Sequence, residues 1–243
     1  MPDTRIERIA EVLVNYSLDI QPGQKLLIRG DAAAEALIRE SYRKAMHAGA
    51  LVSLQVGLPG LSKIFFEEAS DEQLEWVQPL YRMAAEEYDA YLAIQSEVNT
   101  REGSGFDSEK EVRFGRAVEP VRETFFERAA AGNLKWCVTI FPTNAYAQDA
   151  GMALEDYEDF VFGACLPDPD DPVGFWKKME ERQDRLVNYL SKAKQLRVQA
   201  EDTDLRVGVA GRTWINCSGR ENFPDGEVFT GPIETETEGA VRF

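Results

Sequence analysis

The feature that most constrains the fold is a set of short, almost wholly apolar segments separated by stretches of helical periodicity. Lys25-Leu26-Leu27-Ile28-Arg29, Leu51-Val52-Ser53-Leu54-Gln55-Val56, Ala90-Tyr91-Leu92-Ala93-Ile94 and Trp136-Cys137-Val138-Thr139-Ile140 all read as strands. A strand that is apolar along its length has no solvent side, and its natural place is a parallel sheet covered on both faces. The intervening stretches carry helix signals. Thr4 and Glu7 stand at capping-box spacing, Ile6, Ile9, Ala10, Leu13 and Ser17 follow a helical period, and Pro22-Gly23 ends that helix. Asp31 opens a second helix through Ala45, with Gly49 as its terminator. Ser70 and Gln73 open a third toward Glu87. Ser108 and Glu111 open a fourth, which Pro120 should kink or break before Gly132-Asn133 ends it. A long polar helix is expected from Val173 to about Ala193. Strand and helix in alternation predict βαβ units, so residues 1–194 read as an α/β domain with a parallel sheet flanked by helices.

After Gln195 the period changes. Leu205-Arg206-Val207-Gly208-Val209 and Arg212-Thr213-Trp214-Ile215-Asn216 alternate apolar and polar, with turns at Ala210-Gly211, Ser218-Gly219 and Asp225-Gly226. This predicts a second, mostly antiparallel β portion over residues 195–243. Ala240-Val241-Arg242-Phe243 reads as a strand cut off in progress, which would leave sheet edges uncovered, so a continuation of the polypeptide is expected.

Composition narrows the function. The chain has 243 residues, 44% of them hydrophobic, enough for one large domain or two smaller ones. Lysine and arginine number 27 against 43 aspartates and glutamates, a formal charge of −16. Such a surface repels phosphate backbones and anionic lipid, so neither nucleic acid nor membrane is expected as a partner. No apolar run approaches the roughly 20 residues of a membrane span. Met1-Pro2-Asp3-Thr4-Arg5 has no apolar signal-peptide centre, and a cytoplasmic protein is expected. Cys137, Cys165 and Cys217 are far apart and form no CxxC pair, arguing against a disulfide framework or a zinc ribbon and for buried thiols. The single histidine, His47, sits at a predicted helix end where the dipole favours it, and cannot by itself build an HExxH motif. GxSxG, GxGxxG and GxxxxGK[ST] are all absent, and Gly103-Ser104-Gly105 reads as a flexible loop. Chemistry must come from carboxylates, or from residues outside this chain.

One stretch carries most of the signal. Pro224-Asp225-Gly226 is a tight turn that delivers Glu227 at the start of a strand, Glu227-Val228-Phe229-Thr230, which Gly231-Pro232 then breaks. On the residues alone, Glu227 is either a solvated glutamate beside a hairpin or a carboxylate held rigidly enough to ligate a metal.

The segment Asn222-Phe223-Pro224-Asp225-Gly226-Glu227-Val228-Phe229-Thr230-Gly231-Pro232 resembles the signature of the aminopeptidase T family, also called thermophilic metallopeptidases. A second block, Phe141-Pro142-Thr143-Asn144-Ala145-Tyr146-Ala147-Gln148-Asp149-Ala150-Gly151-Met152, is similar to that family's Pro-Thr…Ala-Gly-Met segment, and the amino-terminal helix followed by Gln21-Pro22-Gly23 and a strand fits as well. The resemblance runs the length of the chain and implies a metal-dependent aminopeptidase acting on peptides through two divalent ions, zinc, cobalt or manganese, in a homodimer. It matches Glu227 to a metal-binding glutamate. The family's other ligands, a further glutamate, two histidines and an aspartate with a tyrosine nearby, match no position here and are expected beyond residue 243, so this chain alone is expected to be inactive. Arg220 and Asn222, in the loop leading to Glu227, are candidates for touching substrate or orienting the ligand. Thr143, Tyr146 and Gln148 follow a strand, where open α/β sheets form crevices. No catalytic residue is assigned. The rival reading is a non-catalytic α/β binding or scaffold module sharing the fold.

Overall fold

The computed structural model describes residues 3–242. They form two compact units, one comprising the chain up to Val173 together with Arg220–Pro224, the other Gly174–Gly219 with the chain from Asp225 onward. The change of pattern near residue 194 marks the end of helix, whereas the units divide earlier, within the first turn of that helix.

The first unit is built on the expected apolar strands. β1 (Lys25–Asp31), β2 (Leu51–Gly57), β3 (Ala90–Gln95) and β4 (Lys135–Ile140) form an all-parallel sheet in the order β2-β1-β3-β4. A fifth, short strand, β8 (Asn222–Phe223), adds to β4 through Val138 opposite Asn222 and Thr139 opposite Phe223. The central strands hold the core, with Leu26, Ile28, Leu92, Ile94 and Cys137 buried. β2 departs from the expectation of cover on both faces. It lies at the sheet edge, and Leu51, Leu54 and Val56 are 60%, 48% and 45% exposed.

The helices show where local chemistry prevailed. In α1 (Thr4–Val12) the cap is Asp3, whose carboxylate accepts from the Arg5 amide, in place of the expected Thr4. The chain then widens into a π turn over Leu13–Ser17, burying Leu13, Val14 and Tyr16. α2 (Glu35–His47) starts after a 3-10 turn at Ala32–Ala34 and packs on α1. α3 (Leu61–Glu68) was not expected. The stretch from Ser70 to Glu87 is two helices, not one. Ser70 and Gln73 form the expected capping box of α4 (Asp71–Glu75), and Pro79 restarts the chain as α5 (Pro79–Glu87). Pro120, expected to kink or break its helix, lies inside a continuous α6 (Ser108–Ala130), with Thr124 Oγ1 donating to the proline carbonyl at 2.9 Å. α7 (Asn144–Asp149) and α8 (Leu154–Cys165) complete the unit.

The second unit contains α9 (Pro172–Leu190, within the unit from Gly174), a three-stranded antiparallel sheet and a two-stranded one. β5 (Gln195–Ala200) and β6 (Thr203–Gly208) form a hairpin, with Asp202 at positive φ in the turn and Arg197 pairing with Asp204 at 2.7 Å. β10 (Ile233–Ala240) lies on the other side of β6. The sequence predicts strand over residues 212–216 after a turn at Ala210-Gly211. Instead β7 is only Ile215–Cys217 and pairs with β9 (Glu227–Phe229), not with β6. The expected strand at residues 240–243 ends at Ala240. Phe243, like Met1 and Pro2, lies outside the described residues. No helix among the described residues is long and apolar enough to cross a membrane.

Two predictions follow from this packing. Leu92→Ala, in a fully buried central strand, should cost about 2–5 kcal/mol in urea unfolding, whereas Leu54→Ala on the exposed edge should stay within roughly 0.5 kcal/mol. The second concerns Lys44, whose ammonium ties α2 to α1 through Glu7 and Glu11 at 3.0 and 3.2 Å. Burial opposes its charge, but the hydrogen bonds to both carboxylates outweigh this and raise its pKa above the ordinary 10.5. The same contact lowers Glu7 below its ordinary 4.5. A raised amine contributes stability that is lost as pH climbs through the folded value, and a lowered carboxyl contributes stability lost as pH falls through its folded value. Lys44→Met should therefore destabilise most between those limits, with the difference from wild type shrinking at both extremes.

Candidate metal centre

β7 and β9 bring Cys217 opposite Glu227 in an antiparallel rung. Side chains opposite each other in such a pair share a face of the sheet. Asp225 joins them from the turn, its carboxylate accepting from the Gly226 amide at 2.9 Å, with Gly226 at φ 143°. The potential ligand atoms of Cys217, Asp225 and Glu227 all lie within 4.8 Å of one another, the one such cluster of metal-binding side chains among the described residues. Cys217 and Asp225 are half-buried and Glu227 is exposed.

The rung is fixed from α9. Gln183 is 6% exposed, and its Nε2 donates to the carbonyl of Glu227 at 2.6 Å and to that of Cys217 at 3.3 Å. One amide therefore holds both strands at the position where the acid and the thiol face each other. One residue along β7, Asn216 Nδ2 donates to the Glu180 carbonyl at 3.1 Å and the Asp184 carboxylate at 2.7 Å. Together these lock the short two-stranded sheet to the helix. The donor set, two carboxylates and a sulfur, suits a divalent cation of the zinc or cobalt kind.

The other candidates are placed as follows. Arg220 belongs to the first unit, where its guanidinium donates to the Tyr16 carbonyl at 2.9 Å and stacks 4.6 Å from the centre of the Tyr16 ring. Asn222 is exposed in β8. Thr143 caps α7 and donates to the Glu97 carbonyl at 2.6 Å, and the Glu97 amide donates to the Tyr146 hydroxyl at 3.3 Å. Burial raises the pKa of Tyr146. These two residues brace the loop after β3. Gln148 is exposed. A crevice at the carboxyl ends of β1 and β3 is lined by Asp31, Ser96, Glu97 and Glu102, and not by Thr143, Tyr146 or Gln148. His47 ends α2, as expected, beside a groove with Tyr42, Met46 and Leu54. Cys137 and Cys165 are buried, none of the three cysteines is in a disulfide, and burial pushes the Cys165 thiol up to about 12.

Sequence reasoning missed Cys217 and Gln183 as neighbours of Glu227, and read Asp225 only as part of the turn that delivers it. Residues between Cys217 and Glu227 do not form a simple hairpin, since Asn222 and Phe223 pair with β4, so no turn signal announces the rung. Gln183 lies on a polar helix where nothing distinguishes it by period.

A parallel sheet under helices followed by a small antiparallel part with clustered acidic and thiol donors defines an α/β protein with a candidate cation site. The model of the thermophilic metalloprotease family (M29) matches residues 2–243, and the chain belongs to that family. It is 27% identical over an alignment of 262 positions, gaps included, to "Aminopeptidase 2" of Geobacillus stearothermophilus, covering 99% of this chain, and 26% identical over one of 263 to "Aminopeptidase T" of Thermus thermophilus, covering 98%. The chain spans 63% of the length of each of these relatives. The solved structure of wild-type AmpT from Thermus thermophilus has the same fold, with a TM-score of 0.78 and 24% identity over 97% of this chain and 63% of that one.

Arg220→Ala should cost about 1.5–3 kcal/mol of stability, the range for a hydrogen bond from a charged group. Urea unfolding compared with Arg220→Lys, which keeps the charge but not the planar stacking, checks it.

Proposed function

We propose that this chain is part of a metal-dependent aminopeptidase that removes amino-terminal residues from peptides at a site of two divalent ions, zinc, cobalt or manganese, to which Glu227 contributes a ligand. The observation that carries this reading is the Cys217–Glu227 rung with Asp225 beside it, pinned by the buried Gln183, in a chain of a metalloprotease family whose relatives are named aminopeptidases. The remaining ligands come from polypeptide that this chain does not contain.

Each residue has a task in this reading. Glu227 presents its carboxylate from the first position of a strand, so the rung and the Gln183 clamp limit where its oxygens reach. Asp225 holds its carboxylate near by on a turn that only glycine accommodates at position 226. The negative charge at the site attracts both cation and the free amino group of a peptide, which accounts for action at the amino terminus. A bound divalent ion would supply Lewis acidity and an activated water. Arg220 and Asn222 serve the site by shaping the segment that leads into it. The intact protein acts in the cytoplasm as a homodimer.

In the intact protein, Glu227→Ala should lose bound metal and hydrolysis of amino-acid nitroanilides together, by more than the roughly 10- to 100-fold that partners outside the ligand set are worth. Metal content by elemental analysis is the check, and a mutant retaining its full complement of metal would contradict the assignment of Glu227.

A further inference from the structure

Among the described residues, β2 is the one sheet edge that nothing blunts. An open edge is a template for another strand, and proteins shield such edges by shortness, charge, proline or bulges. β8, at the opposite edge of the parallel sheet, is two residues long. β7 and β9 have three residues each, β5 carries Arg197, and β10 carries Glu234, Glu236 and Glu238. β2 is seven residues, Leu51-Val52-Ser53-Leu54-Gln55-Val56-Gly57, without a charge or a proline, and its register against β1 is unbroken. The Leu51 amide donates inward, to the Gln24 carbonyl at 2.8 Å. Alternation then turns the amides and carbonyls of Val52, Leu54 and Val56 toward the open edge.

Apolar surface and charge at this edge both fit a second copy of the chain. Leu54 and Val56 line a groove with Tyr42 and Met46 of α2. Of the large apolar side chains left exposed, eight lie from Tyr42 to Ile64, the densest such stretch of the chain. At about half a side chain each they offer on the order of several hundred Å², approaching the ~800 Å² that each partner gives to a standard interface. The formal charge of −16 opposes self-association over most of the surface. The groove is an exception, since β2 is uncharged and α2 lines it with Glu35 near its amino end and Arg39, Arg43 and His47 toward its carboxyl end. α2 runs antiparallel to β2 in the crossover from β1. A copy turned about a two-fold axis therefore lays its own α2 antiparallel on the same face, and each acidic end meets the other's basic end. The Arg39–Glu35 pair within α2 is exposed, so exchanging it costs little.

We propose that β2 pairs with β2 of a second copy, antiparallel about a two-fold axis with Leu54 opposite its own counterpart, joining two five-stranded sheets into one. Full overlap of the seven residues sets this register. It also places Val52 opposite the partner's Val56, so every residue whose amide and carbonyl point outward meets another of the same kind, as a hydrogen-bonded antiparallel pair requires. The two-fold closes the assembly at two copies, because each copy spends its one open edge. The proposal gives a surface to the homodimer named above and stands apart from the metal site.

The test is sedimentation of the intact protein, which should run as a dimer. Leu54→Lys, which sets like charges against each other on the axis, should weaken dimerisation at least tenfold. Leu80→Lys, at an exposed position on α5, should leave it unchanged. Circular dichroism checks that both variants fold. Leu54→Cys should form an intermolecular disulfide on mild oxidation, because the Cα atoms of a hydrogen-bonded antiparallel pair stand about 5.5 Å apart, within disulfide reach. Leu51→Cys, opposite the partner's Gly57, should not. Leu54→Cys alone decides the matter if Leu54→Lys does not fold, and its failure to cross-link then overturns the proposal. A dimer that survives Leu54→Lys and gives no Leu54→Cys cross-link would overturn this interface and leave a homodimer through another surface standing. A protein that stays monomeric would overturn the interface and the homodimer together, without touching the role of Glu227.

Discussion

The candidate site depends on one side-chain amide. β7 and β9 are three residues each, too short to be stable as an isolated ribbon. Gln183 joins them by giving both its amide protons to carbonyls on the two strands, at the rung where Cys217 faces Glu227. Losing that amide would leave two part-buried carbonyls short of this donor. It would also free the strand that aims Glu227. The ordering that holds Cys217 opposite Glu227 is supplied by hydrogen bonds from α9.

The two units differ in how they are stabilised. The first has a conventional apolar centre, with β1 and β3 buried between helices. The second is mostly exposed along β5 and β10, and leans on polar links such as Arg197–Asp204, Asn216 to α9 and the Gln183 clamp. An exposed ion pair such as Arg197–Asp204 is worth little by itself. The buried amide is the more valuable of these links.

Much of the fold was legible because apolar runs and helical periods are local signals. All four principal strands of the parallel sheet appear where the residues place them, and the Ser70–Gln73 capping box forms as read. What failed depended on non-local pairing. The edge position of β2 cannot be seen from its apolar composition. Pro120 was tolerated within α6. Asn222–Phe223 crossed into the parallel sheet because a vacant edge beside β4 could accept a parallel partner, and nothing in two residues announces that. At the site, Glu227 was visible from its turn and its strand, and the similar family signature pointed to it. Cys217 and Gln183 were not, since a cross-strand partner and a helix residue reaching a carbonyl are properties of register and packing.

The most direct measurement is anomalous X-ray diffraction at the zinc absorption edge from crystals of the zinc-loaded intact protein. The account predicts an anomalous peak roughly 2.0–2.2 Å from a Glu227 carboxylate oxygen. Zinc peaks that all lie away from Glu227, with its carboxylate directed into solvent, would contradict it.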